Sequence, residues 1–219
     1  MRSPKAASDL DAVTVDANGT AVELDDPTDR LRAALAGRGV ERERDVVAAA
    51  FRAEVAYYLP RTLEGSDEAS LADLLRRCTA VFLEHAGVGL EPESFAQAFA
   101  ESIRFRPMPG AVEALERLRS AGLALACVSN WDATLASQLD RAGLGGCFVT
   151  VVSSAEAGAA KPDPRVFAVA LERLGVEPER ALHIGDTEAD ENGAGAAGLA
   201  FEPVPLATLP GRLGLGHRP

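Results

Sequence analysis

The chain has 219 residues, of which 47% are hydrophobic, which suits one large α/β domain or a core with a smaller domain attached and excludes a largely disordered polymer. The formal net charge of -11, without a cluster of Lys or Arg, opposes a nucleic-acid backbone or an anionic membrane surface, so neither is expected as a partner. The first ten residues lack the apolar run of a secretory leader and no window is long enough to span a bilayer, so a cytoplasmic location is expected.

Ala12-Val13-Thr14-Val15 is a short β-prone run ending at Asp16, and Ala17-Asn18-Gly19-Thr20 reads as a turn. Apolar residues at three- and four-residue spacing then predict helices over 28–37, 43–58, 68–86 and 92–104, with no strand among them. In the third, Leu71, Leu74, Leu75, Cys78, Phe82 and His85 fall on one face. Gly and Pro breakers separate the segments.

The pattern changes at Pro107. A helix is expected from Pro109-Gly110 to about Arg119, then a strand over Leu123–Val128. Helix 132–141 leads to strand 147–152, helix 164–174 to strand 181–184, and a Gly/Ala-rich helix lies near 190–197. Strands alternating with helices imply a parallel sheet covered on both faces. The fold class is therefore α/β: a Rossmann-like three-layer core of residues 1–20 and 107–219, with an all-helical insert over 21–106. The tail from Pro203 is expected to be a loosely structured edge. Cys78, Cys127 and Cys147 have no metal-like spacing and read as small core residues.

Sheets of this kind place chemistry beyond the carboxyl ends of their strands. Asp16 and Asp186 both follow strands directly. Each has an ordinary reading as a turn or cap residue, but two such carboxylates side by side repel unless a cation intervenes, and oxygen ligands suit Mg²⁺. Asp190 could support the same cation through water, or serve as a carboxylate favoured at a helix N-terminus. Ser129 and Asn130 end a strand where an anion would sit, and a helix N-cap is the alternative. Lys161, in Lys161-Pro162-Asp163-Pro164, is either a solvated side chain or a fixed charge opposite a phosphate or a carboxylate. The chain's only other lysine is Lys5.

Together these residues resemble the four motifs of the haloacid dehalogenase superfamily: Asp16-Ala17-Asn18-Gly19-Thr20, Ser129-Asn130, Lys161-Pro162-Asp163-Pro164 with Phe167, and Gly185-Asp186-Thr187-Glu188-Ala189-Asp190 with Gly193-Ala194. Pro107-Met108-Pro109-Gly110 is a further match. The resemblance implies that the helical insert is a cap domain and that Asp16 is the nucleophile of a hydrolase of small phosphomonoesters, working through an aspartyl-phosphate. It implies Mg²⁺ as cofactor, held by Asp16, the main-chain carbonyl of Asn18 and Asp186, with Asp190 supporting. Ser129, Lys161 and the amides near Gly19, Thr20 and Asn130 would hold the phosphoryl group. Arg61 and Arg104 are the insert's candidates for substrate binding. The expected partner is a small phosphorylated metabolite, and the expected assembly is a monomer or homodimer.

One position departs from the pattern. Phosphatases of this superfamily carry Asp two residues after the nucleophile, and this chain has Asn18, whose amide cannot act as general acid or base. Such help is worth about 10²–10⁴ in rate. The readings are a phosphatase with weakened acid–base catalysis, an inactive or regulatory binding protein on the same fold, or another hydrolase such as a dehalogenase. His85 and His183 are expected to be structural.

Overall fold

The computed structural model describes residues 6–216. In chain order its main elements are β1 (Ala12–Val15), β2 (Val22–Asp25), α1 (Thr28–Ala36), α2 (Arg44–Tyr58), α3 (Glu68–His85), α4 (Pro92–Ser102), β3 (Arg104–Pro107), α5 (Ala111–Ser120), β4 (Ala124–Ser129), α6 (Leu135–Arg141), β5 (Thr150–Ser153), α7 (Ser154–Ala157), α8 (Arg165–Leu174), β6 (Ala181–Gly185), α9 (Glu188–Ala196), β7 (Ala200–Pro203) and α10 (Leu209–Arg212). They fall into two compact units, Met1–Glu23 with Phe105–Pro219, and Leu24–Arg104.

The first unit is built on a five-stranded sheet in the order β5-β4-β1-β6-β7. All four pairings are parallel. Helices cover both faces, as a parallel sheet requires. On one face Val13 and Val15 pack with α5, α6 and the C-terminal leucines Leu206, Leu209 and Leu213. On the other, Ala12, Ala126 and Val128 pack under Val166, Phe167 and Ala170 of α8 and Ala194 of α9. The register sets Val15 opposite both Cys127 and Ile184. The ends of three adjacent strands therefore lie at one sheet edge, and the residues following them meet there.

The second unit is helical. Phe51, Phe82, Phe95 and Phe99 form its core with Leu31, Leu35 and Leu74. Phe82 lies 5.2 Å from Phe99 and 6.1 Å from Phe95, centroid to centroid. Each fully buried ring of this kind contributes about 1.5–3 kcal/mol. Asp67 starts α3 with a reciprocal cap: its carboxylate accepts from the Ser70 amide at 2.8 Å, and the Ser70 hydroxyl accepts from the Asp67 amide at 3.0 Å. Arg30 ties the two ends of the unit together, donating to the Ser102 carbonyl at 2.7 Å and to the carboxylate and carbonyl of Asp25 at 2.8 and 2.6 Å.

Several expectations are corrected. Two short strands, β2 and β3, pair with each other in the region expected to be wholly helical, and α4 ends at Ser102. His85 is exposed rather than on the packed face of α3, and sits in the helix's last turn, where the dipole favours a cation. The stretch after α9 is not a loose edge: β7 completes the sheet, and Leu206, Leu209 and Leu213 are at most 4% exposed. The part of the tail over 217–219 lies outside the described residues. The cysteines form no disulfide with one another. Among the described residues no helix is long and apolar enough to cross a membrane.

Candidate active site

Asp16 continues β1, its amide donating to the Ile184 carbonyl at 2.9 Å, so the sheet hydrogen-bonding fixes its backbone. Its side chain is 7% exposed. Oδ1 accepts from the Ser129 hydroxyl at 2.9 Å and from the Lys161 ammonium at 2.5 Å. No donor among the described residues reaches Oδ2, which is left for an incoming group.

Lys161 is nearly as buried. It also reaches the Val128 carbonyl at 3.2 Å and pairs closely with Asp190. Burial alone would depress its ammonium, but the charges of Asp16 and Asp190 outweigh that and hold its pKa above the usual lysine value. Asn130 supports Lys161 from the end of β4: Nδ2 donates to the Lys161 carbonyl at 3.0 Å and Oδ1 accepts from the Lys161 amide at 2.7 Å. The Asn130 side chain is thus engaged with the lysine loop, a role distinct from the backbone amide that the sequence suggested for an anion.

Asp190 has four donors. Oδ1 accepts from Lys161 and from His183 Nε2 at 2.9 Å. Oδ2 accepts from the Thr187 amide at 3.1 Å and the Thr187 hydroxyl at 2.5 Å, within the capping box that opens α9. An ionised carboxylate has about four acceptor sites, so this one is saturated. Burial would raise its pKa, but the His183 hydrogen bond and the Lys161 charge hold it well below the usual carboxylate range.

Asp186 and Asn18 are the exposed members of the set. Oxygens of Asp16, Asp186 and Asp190 lie within 4.8 Å of one another. Partial burial, together with the charges of Asp16 and Asp190, raises the pKa of Asp186. Three carboxylates face one buried ammonium, an excess of negative charge that suits a hard divalent cation with oxygen ligands. Gly19, at φ +81°, supplies the turn, and a Cβ there would stand 2.9 Å from Asp186 Cγ. Thr20 is buried, its hydroxyl without a hydrogen-bond partner among the described residues.

Arg61 and Arg104 belong to the helical unit. Arg61 is engaged locally, stacked 3.9 Å over Tyr57 and donating to the Tyr57 carbonyl at 2.6 Å. Arg104 is exposed, with one bond to the Glu101 carbonyl at 3.3 Å. The roles of Thr187 and the Val128 carbonyl were not found from sequence. The Thr187 cap carries a signal, a Thr three residues before Asp at a helix start, whereas a backbone carbonyl carries none.

The haloacid dehalogenase-like hydrolase profile matches residues 10–198. Phosphoserine phosphatase of Thermus thermophilus is 41% identical over 121 residues, 53% of this chain and 49% of that protein. Phosphoglycolate phosphatase 1 of Pseudomonas aeruginosa is 33% identical over 133 residues, 58% of this chain and 49% of that protein. The chain spans about half the length of these curated relatives. The structure of L-2-haloacid dehalogenase from Xanthobacter autotrophicus matches with TM-score 0.63 and 28% identity, over 88% of this chain and 76% of that one. With the profile spanning most of its length, the chain belongs to the haloacid dehalogenase-like hydrolase family.

Proposed function

We propose that the protein is a Mg²⁺-dependent hydrolase of small phosphomonoesters that works through an aspartyl-phosphate on Asp16. The observation that carries this reading is the Asp16 carboxylate, buried at a strand end with Oδ1 held by Ser129 and Lys161 and Oδ2 unengaged. The phosphatase relatives support the choice of phosphorus as the centre attacked.

Asp16, Asp186 and the main-chain carbonyl of Asn18 would hold the metal. Asp190, saturated by protein donors, supports the set from behind through Lys161. When bound, Mg²⁺ supplies charge neutralisation for the nucleophile and the phosphoryl oxygens. Asp16 attacks phosphorus as the bond to the ester oxygen breaks. Ser129 and Lys161 hold the equatorial oxygens, and most of the catalysis lies in that positioning and charge stabilisation. The departing oxygen takes its proton from water, because Asn18 has none to give. A second water then attacks phosphorus, loses its proton to solvent, and releases inorganic phosphate with Asp16 restored. The helical unit, inserted between the first and second motifs, would serve as the cap domain. A small phosphorylated metabolite is the partner this site favours.

The test is phosphate release from an aryl and an alkyl phosphomonoester, with and without Mg²⁺, comparing the native chain with Asp16→Ala and Asn18→Asp. Turnover that needs Mg²⁺ and Asp16, and is faster on the aryl ester, is expected. Asn18→Asp should raise alkyl-ester turnover by about 10²-fold, the scale of general acid help. No turnover by the native chain or by Asn18→Asp overturns the phosphatase reading. A non-catalytic binding role, the second reading and one favoured by Asn18 itself, would then stand.

A further inference from the structure

Thr14 of β1 and His183 of β6 are directly opposite each other in the sheet register. Neither is exposed to solvent at all. Their neighbours in these strands are apolar, and buried polar groups are costly unless hydrogen-bonded. Two apolar side chains would fill the same space more cheaply. The pair therefore calls for an explanation that packing does not provide.

The hydrogen bonding supplies one. His183 Nε2 lies 2.9 Å from Asp190 Oδ1, and Nδ1 lies 2.8 Å from the Thr14 hydroxyl and 3.1 Å from the Thr14 carbonyl. The Asp190 carboxylate can only accept, so the Nε2 proton must point to it. A neutral ring then offers Nδ1 as an acceptor, so the Thr14 carbonyl beside it makes no bond there, and the Thr14 hydroxyl donates to Nδ1 at 2.8 Å in preference to the more distant Leu182 carbonyl at 3.4 Å. Phe167 packs edge-on to the imidazole at 4.8 Å and Phe201 lies 6.3 Å away, holding the ring plane. The connection then runs from Asp190 to Lys161 and on to Asp16.

We infer that Thr14 and His183 are positioning residues: the Thr14 hydroxyl, by donating to Nδ1, holds the His183 ring in place, and the Nε2–H that Asp190 selects in turn orients Asp190 and thereby sets the ammonium of Lys161 against Asp16. Neither touches substrate. The inference deepens the phosphatase reading and rests on it for its kinetic consequence. Its spectroscopic consequence is independent of turnover.

The test uses the full chain in solution with ¹⁵N-labelled histidine and lysine. With only two lysines, the Lys161 ammonium resonance is readily distinguished. The native chain should show the Nε2–H tautomer at His183 with a hydrogen-bonded Nδ1, Thr14→Ser should keep both, and Thr14→Val, nearly isosteric and without a donor, should shift the Nδ1 resonance toward that of an unbonded lone pair. His183→Leu should shift the Lys161 ammonium resonance, and His183→Gln, which retains an N–H donor, should move it back toward its native position. In turnover of an aryl phosphate, His183→Leu should lower kcat at least tenfold with KM changed less than threefold, and His183→Gln should recover part of the loss. Should neither the native chain nor Asn18→Asp show turnover, the phosphatase reading fails and the resonances alone decide this one. An Nδ1–H tautomer in the native protein, or a Lys161 resonance unmoved in His183→Leu and in Thr14→Val, overturns it.

Discussion

The Asn130 side chain holds both backbone polar groups of Lys161, accepting from its amide and donating to its carbonyl. One amide thus fastens the lysine loop to the end of β4. Asn130→Ala removes both bonds. Each is worth about 0.5–1.5 kcal/mol net, so urea unfolding should show a loss of about 1–3 kcal/mol. Turnover should fall further than stability alone explains, because the Lys161 ammonium loses its fixed position. A variant with native stability and native kcat would contradict this assignment.

Gly19→Ala should impair the proposed metal site as well as strain the turn. Alanine at φ +81° costs about 1–2 kcal/mol, and its Cβ would press on the Asp186 carboxylate. We expect Mg²⁺ affinity, measured by calorimetric titration, to fall about tenfold or more, since Asp186 must move by a large fraction of a bond length. Unchanged affinity would show that Asp186 is not a ligand.

Gly193→Ala tests packing rather than chemistry. A Cβ there would meet Phe167 at 2.8 Å and the Pro162 backbone at 3.1 and 3.2 Å. The ring can shift, but the backbone beside Lys161 yields less readily. Overpacking of this kind costs about 1–3 kcal/mol. The melting temperature should fall accordingly.

Glu54 gives the helical unit a pH dependence. It is 4% exposed, and burial pushes its carboxyl up to about 7 from the ordinary 4.5, only partly offset by a hydrogen bond with Cys78. Below pH 4.5 the group is protonated in both folded and unfolded chains and costs nothing. Between 4.5 and 7 the unfolded chain ionises first, so stability falls as pH rises, and the full penalty is in place above 7. Its size is on the order of 3 kcal/mol. Glu54→Gln should therefore gain stability over the native chain at pH 8 and gain little at pH 4.5. Equal differences at the two pH values in urea unfolding would refute the effect.

The strand-end acids were legible because an apolar β run that stops at Asp is a local pattern, visible at Asp16 and Asp186 alike. The long amphipathic helices were legible for the same reason. The strands that escaped notice, β2, β3 and β7, have four residues each, and two of them end in proline. Nothing in so short a stretch outweighs its neighbours' signals. The burial of Leu206, Leu209 and Leu213 was in fact signalled by their spacing, but the surrounding Pro and Gly concealed it. Asn130 and His183 illustrate a different limit. Their partners lie 31 and 169 residues away, and no spacing rule spans such distances. Residue type alone pointed to the Asn130 backbone amide and to a structural His183, and it carried no sign of the side-chain bonds either one makes.

The position of β1 between β4 and β6 bears on how the protein is made. During synthesis Asp16 emerges early, yet Lys161 follows it by 145 residues. At about 5–20 residues per second, that is a wait of roughly seven to thirty seconds. β4 is made within that interval and β6 only after it, so β1 lacks both sheet neighbours until β4 emerges, and its apolar run is open meanwhile to mispairing or to a chaperone. The helical unit has all its partners in one continuous stretch and can fold during the interval. The helical unit can therefore form while the Asp16 carboxylate still waits for Lys161, and β1 is the strand of the sheet that waits longest for its neighbours.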